Sequence, residues 1–226
     1  MINLDNDERN LELTSEFIEK SDKDIDTIKA LTEFAVETGN ILVLSGGYAT
    51  EALCGGNISR PHGDIDTHLI LTGSKSLEKL FAGIHKLLNN EKTKWKLREK
   101  QPDKLEYVED NENREFFAKR RVEVRMNSPH ENNIKYPKKK LINSRGNEIE
   151  VCVVDLNEMV IQKIHKFFVL KDGVDTSKDR HSSVSDFFDL RRLLFQEELN
   201  SELIRKKAPE EYDYVVSLMA KYKNLA

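Results

Sequence analysis

Cysteine is scarce in this 226-residue chain, where Cys54 and Cys152 are the only two. No Cys/His pair stands at zinc spacing, so the sequence argues against a disulfide scaffold and a zinc module alike. Apolar runs of 18 residues are missing, which rules out a membrane-spanning helix. An excess of positive charge is missing too: 36 Lys+Arg stand against 40 Asp+Glu, a formal net charge of −4. That balance argues against a histone-like DNA binder working by bulk charge. The first 26 residues hold nine acids, three bases and no apolar h-region, so no signal peptide is expected there. What remains is a soluble, cytoplasmic globular protein, sized for one domain or a core domain with a smaller appendage.

The charge that is present is unevenly spread. Residues 92 to 145 carry 16 Lys+Arg and 9 Asp+Glu, a local net of +7, whereas residues 1 to 26 sum to −6. A basic middle section suits a polyanion such as a nucleoside triphosphate or RNA. For Lys138, Lys139 and Lys140 a solvated face is the plainer reading.

Hydrophobic periodicity organises the chain into two parts. Ser21 to Thr38 reads as an amphipathic helix through Ile25, Ile28, Leu31, Ala35 and Val36, stopped by Gly39 and Asn40. Ile41 to Leu44 and Ile65 to Leu71 read as strands. Leu77, Leu80, Phe81, Ile84, Leu87 and Leu88 stripe a helix capped by Ser74 or Ser76. Residues 93 to 125 alternate in pieces, as antiparallel strands do, and Ile149 to Val154 is another strand after a turn at Gly146. From Asp155 the pattern is helical. Asp155 and Glu158 have capping-box spacing ahead of Val160, Ile161, Ile164, Phe167 and Phe168. Ser185 is placed to cap the next helix, and Pro209 to begin the last, with Val215, Val216, Met219 and Tyr222. The expected domains are an α/β core over 1–156, with mixed sheet and flanking helices, and a helical part over 157–226.

The chemistry concentrates in Ser45-Gly46-Gly47-Tyr48-Ala49 and Arg60-Pro61-His62-Gly63-Asp64-Ile65-Asp66. Two glycines directly after a buried strand let backbone N–H groups approach a phosphate, and a short helix over Thr50 to Gly55 aims its positive end the same way. Asp64 and Asp66, two apart on a strand, project their carboxylates from one face. Such a pair repels unless a cation sits between, and hard divalent ions with oxygen ligands, Mg²⁺ above all, are the natural partners. A metal-holding pair beside a phosphate-holding turn suits phosphoryl or nucleotidyl transfer.

These residues resemble the nucleotidyltransferase superfamily related to DNA polymerase β, whose signature is a strand, Gly-Gly or Gly-Ser, then Asp-x-Asp on the next strand. The Gly-Gly-aromatic opening and the Arg-Pro-His-x-Asp-h-Asp close look most like the aminoglycoside and lincosamide nucleotidyltransferases. The clear match covers residues 41 to 71. Sixteen residues separate Gly47 from Asp64, longer than the superfamily's minimal pattern and similar to the spacer of that antibiotic-modifying branch.

The resemblance implies a third carboxylate on a later strand, completing the metal site and activating the acceptor hydroxyl. Glu123 is the best candidate, on the polar face of the alternating Arg121-Val122-Glu123-Val124-Arg125, with Glu106 and Asp103 as rivals. Its flanking arginines are placed to keep it ionised. Ser45 and Arg60 are expected phosphate contacts, and His62 is expected to brace the loop. Lys166 resembles the lysine that related families bring to the nucleotide from the first helix of the helical part, where Lys163 lies three residues before it. Lys178-Asp179-Arg180-His181, with Asp186 and Asp189, resembles the Lys-Asp…Asp-Leu element of those helical halves. His68, His85 and His130 are read as structural or exposed, Cys54 and Cys152 as buried hydrophobes. The implied activity is Mg²⁺-dependent transfer of an NMP, AMP first, from ATP or another NTP to a hydroxyl on a small molecule such as an aminoglycoside or lincosamide. A toxin–antitoxin-type transferase acting on tRNA or protein, and a non-catalytic nucleotide-binding module, are the alternatives. No membrane partner is expected, and the oligomeric state is left open.

Overall fold

The computed structural model describes residues 15–60, 62–89, 95–109, 120–128, 136–171 and 180–221. Pro61, His130, Lys178, Asp179 and Tyr222 lie outside them, as do the side chains of Phe167, Phe168, Arg180, His181 and Met219.

The chain divides into two compact units, one ending at Val154 and the other beginning at Asp155. In the first, β1 (Ile41–Ser45), β2 (Asp64–Ile70), β3 (Trp95–Gln101), β4 (Lys104–Glu109), β5 (Arg121–Asn127), β6 (Lys138–Ile142) and β7 (Glu148–Val153) form one sheet. Its order is β3-β4-β5-β2-β1-β7-β6. β2 with β5 and β1 with β7 are parallel, the other neighbours antiparallel, so the expected mixed sheet is present. The helices of this unit are α1 (Ser15–Glu37), α2 (Gly46–Leu53) and α3 (Leu77–Leu88).

The sheet has two unlike faces because its central strands alternate. Ile65, Val122, Val124, Leu105 and Tyr107 are buried, and register puts Ile65 beside Val122 and Val122 beside Tyr107. This is the face met by α1 and α3: His85 of α3 lies 6.1 Å from the Tyr107 ring, and Trp95 Nε1 donates to Thr27 Oγ1 of α1 at 3.4 Å. Each such aliphatic side chain removed from water contributes about 1.5–3 kcal/mol. The other face carries Asp64, Asp66, Arg121, Glu123, Arg125 and Lys104, the residues between the buried ones.

Several local expectations change. α1 begins six residues before Ser21, which is buried within it, and Val36 is exposed on its outer side. Ser76 caps α3 by accepting from Lys79 N, but Leu77 stays exposed. Lys138 and Lys140 are solvent-exposed as expected, but they lie on an edge strand: β6 pairs with β7, and Lys138 meets Glu150 at 2.7 Å. Cys54 and Cys152 are not joined in a disulfide and are half-buried, and burial pushes the Cys152 thiol up.

The second unit is helical, with α4 (Leu156–Lys171), α5 (Arg180–Leu194), α6 (Ser201–Lys207) and α7 (Pro209–Lys221). Asp155 Oδ1 accepts from Asn157 N at 2.9 Å and starts α4, while Glu158 pairs with Lys207 and does not turn back to close a capping box. Ser185 lies inside α5 and caps nothing. α6 gave no sequence warning; its start is made by Asn200, which accepts from Leu203 N at 3.0 Å. α4 meets α5, α6 and α7.

Candidate active site

The end of β1 leads straight into a helix, and the glycines are its first turn. Gly46, at φ 64°, adopts a conformation that L side chains rarely take. A Cβ there would lie 2.2 Å from Asp66 Oδ2, so the Asp66 carboxylate sits against the opening of α2. A Cβ at Gly47 would lie 2.2 Å from His62 Nδ1 and 3.2 Å from Arg60 Nη2. Arg60 and His62 therefore converge on the second glycine, and only residues without side chains fit beneath them.

Register places the acids. Ser45 is directly opposite Asp66, Asp66 opposite Glu123, and Glu123 opposite Glu106. Opposed residues share a face, so Ser45, Asp66, Glu123 and Glu106 form one row across β1, β2, β5 and β4. Asp64 stands two residues before Asp66 on the same side. Ser45 Oγ donates to the main-chain oxygen of Asp66 at 3.4 Å.

Positive side chains are threaded through this row, more of them than the sequence led us to expect. Arg121, opposite Asp64, donates from Nε to Oδ1 at 2.9 Å and from Nη2 to Oδ2 at 2.8 Å. Arg125 Nε donates to Glu123 Oε1 at 2.5 Å. Lys104 Nζ lies 3.3 Å from Glu99, 3.4 Å from Glu106 and 3.6 Å from Glu123. Hydrogen bonds to Asp64 and to Glu123 hold the Arg121 and Arg125 guanidiniums above their ordinary values. The period-two spacing of Arg121, Glu123 and Arg125 placed the arginines on this face; nothing in it paired Arg121 with Asp64 or brought Lys104 alongside.

Behind the glycine turn runs a buried polar network. His62 Nε2 is 2.8 Å from Glu51 Oε1, which also accepts from Ser59 Oγ at 3.0 Å. The Tyr48 ring lies 4.6 Å from that of His62, and its hydroxyl donates to Asp24 Oδ2 at 2.7 Å. Asp24 in turn is ion-paired with Arg120. Burial holds the Tyr48 phenol protonated, its pKa well above the ordinary value. These contacts tie the turn to α1, with His62 bracing the loop through Glu51.

In the helical unit, Lys163 is buried between Asp189 at 2.7 Å and Asp186 at 3.1 Å. Lys166, half-exposed, reaches the second oxygen of Asp186 at 2.7 Å. So Ser45, Gly46, Gly47, Arg60, Asp64, Asp66 and Glu123 come together in the sheet unit. Lys166 belongs to the other unit and to its own ion cluster.

The donor set suits a hard divalent cation: carboxylate oxygens from Asp64, Asp66 and Glu123 on one face. Among the described residues no three His, Cys, Asp or Glu side chains already converge on one point. Guanidinium groups engage Asp64 and Glu123 instead.

A solved structure with this architecture is that of ANT(2")-Ia in complex with adenylyl-2"-tobramycin, at 12% identity, TM-score 0.50, and coverage of 86% of this chain and 97% of that one. Others are the lincosamide antibiotic adenylyltransferase LnuA with lincomycin (13% identity, TM-score 0.43, 75% and 96%) and an antigenic nucleotidyltransferase-like protein from Paracoccidioides brasiliensis (15%, 0.49, 94% and 92%). No curated protein sequence matches the chain. The fold is thus that of the nucleotidyltransferases. A family model described as "Nucleotidyl transferase AbiEii toxin, Type IV TA system" matches residues 29–215, and the chain belongs to that nucleotidyltransferase family. Its members use a nucleoside triphosphate and a divalent metal.

Proposed function

We propose that this chain moves a nucleoside monophosphate, AMP from ATP, onto an acceptor hydroxyl with Mg²⁺ as the metal. The observation that carries this reading is the single row Ser45–Asp66–Glu123, with Gly46 closed against Asp66 Oδ2. Asp64, Asp66 and Glu123 would hold Mg²⁺, which when bound supplies charge neutralisation at the phosphates. The amides opening α2 and the Arg60 fork bind the phosphate chain. Ser45 orients the strand end beneath it. Glu123 takes the proton of the acceptor hydroxyl, whose oxygen attacks the α-phosphorus in line. The bond from that phosphorus to the bridging oxygen breaks, and pyrophosphate leaves. Holding the reactants in this geometry supplies much of the rate. Lys166, paired with Asp186 within the helical unit, is carried as a nucleotide-binding residue on the resemblance alone.

Two acceptor classes are proposed. Transfer to a small antibiotic is what the names of the similar ANT(2")-Ia and LnuA structures describe. The second is a macromolecular acceptor such as tRNA or protein, the toxin–antitoxin-type alternative, and the matched family's description names a toxin of a type IV TA system. Against RNA capture by bulk charge, bases of the 92–145 section pair within the chain: Arg98 with Glu106, Arg120 with Asp24, Arg121 with Asp64, Arg125 with Glu123.

The test is incubation with Mg²⁺ and α-labelled ATP, GTP, CTP or UTP against pooled aminoglycosides, lincosamides, total tRNA and lysate protein. Label moving to one acceptor, lost in Asp64→Asn, is expected. Pyrophosphate release that survives in Asp64→Asn would overturn the site assignment. An RNA acceptor is marked by affinity that falls steeply with salt; a flat response removes it.

A further inference from the structure

Two of the carboxylates on this face are engaged by arginines of β5. The Arg121 fork uses both Asp64 oxygens, at 2.9 and 2.8 Å, and Arg125 uses an oxygen of Glu123 at 2.5 Å. These are the lone pairs that a divalent cation needs, so cation and guanidinium compete for the same atoms.

We propose that Arg121 is a two-partner residue. It neutralises Asp64 while the carboxylates hold no cation, yields that carboxylate to an incoming divalent ion, and turns its freed guanidinium to the triphosphate. The inference rests on the metal reading above and adds to it a mechanism of regulation. Three features support it. Arg121 stands directly opposite Asp64 across a parallel strand pair, so sheet register fixes the contact, not a mobile loop. The pair is exposed, with side-chain accessibilities of 47% and 39%, so water weakens it and its exchange is cheap. Its donor geometry is the planar fork that matches a carboxylate or a phosphate equally well. Arg125 and Lys104 sit on the same face and keep Glu123 neutralised in the same way.

The consequence is that metal and triphosphate bind cooperatively, beyond simple charge neutralisation, because the metal releases a phosphate ligand. Mn²⁺ binding to the full chain, read by the loss of free-ion electron paramagnetic resonance signal and by calorimetry, tests this without turnover. In the absence of nucleotide, Arg121→Gln is expected to bind Mn²⁺ about tenfold more tightly than wild type, a shift of ordinary coupling size. Arg121→Lys, which keeps the charge but loses the fork, is expected between the two. A non-hydrolysable ATP analogue should tighten Mn²⁺ binding less in Arg121→Gln than in wild type. Equal or weaker Mn²⁺ binding by Arg121→Gln overturns the inference, provided Asp64→Asn weakens binding and so shows that Asp64 is a ligand. If wild type and Asp64→Asn bind Mn²⁺ alike, the metal reading itself fails and this inference falls with it. Should Arg121→Gln not fold by circular dichroism, the comparison of wild type with Arg121→Lys decides by the same criterion.

Discussion

Gly46 and Asp66 approach so closely that a Cβ on residue 46 would stand 2.2 Å from Asp66 Oδ2. The turn that suits a phosphate and the acid that suits a metal are therefore one packed unit, and neither can be altered alone.

Gly46→Ala tests that union. At φ 64° an alanine costs about 1–2 kcal/mol in backbone conformation, and its methyl displaces the Asp66 carboxylate. Transfer is expected to fall to background while thermal melting drops by only a few degrees. A Gly46→Ala protein with normal kcat would show that Asp66 need not sit where it does.

Asp64→Asn and Asp66→Asn should each abolish transfer and leave the circular dichroism spectrum unchanged. Their stabilities should differ. Asp64→Asn loses an exposed pair with Arg121 worth about 0–1 kcal/mol. Asp66→Asn relieves like charge opposite Glu123 and is expected to melt at or slightly above wild type. Urea denaturation of the two variants without metal gives the comparison.

Lys163 and Lys166 should separate stability from activity. Lys163→Met strips the buried ammonium from Asp186 and Asp189 and is expected to cost about 3–5 kcal/mol. Lys166→Met breaks a half-exposed pair worth about 1 kcal/mol at most, so a loss of nucleotide affinity there reports phosphate contact. If Lys166→Met leaves the KM for ATP unchanged, its expected nucleotide role is wrong.

Alkaline pH should find Tyr107. Its hydroxyl is buried with no hydrogen-bond partner among the described residues, and burial pushes its pKa up to about 12 from 10.0. A pKa raised in the fold gives stability that is complete below pH 10 and lost as pH rises through 12. Tyr107→Phe is expected to flatten that limb and to gain about 1 kcal/mol at neutral pH by removing an unsatisfied hydroxyl. Melting temperatures at pH 7 and pH 11 for both proteins check the sign.

Local order made part of this legible. The alternation Asp64-Ile65-Asp66 and Val122-Glu123-Val124 gives each side chain its face from the backbone period alone, whatever the neighbouring strands. Gly46-Gly47 after Ile41–Leu44 marked the turn, although the glycines turned out to open α2 and not to precede it. Ser76, Asp155 and Pro209 started helices where their chemistry put them. Ser185 did not, because the hydroxyl that could have capped a helix lies inside one that starts at Arg180. β6 was hidden because Lys138-Lys139-Lys140 has no apolar alternation; an edge strand is made by main-chain pairing to β7, and its lysines answer Glu148 and Glu150 across the pair.

By itself, then, the sequence determined which residues share a face and where the glycine turn falls, since these follow from the two-residue repeat of a strand and the absence of a Cβ. Only the tertiary structure decided that Asp64 faces Arg121, that Glu123 stands beside Asp66, and that Lys163 is buried between Asp186 and Asp189. Those pairs join residues 23 to 57 positions apart. Strand register and helix packing set them, and a chain read in one dimension carries neither.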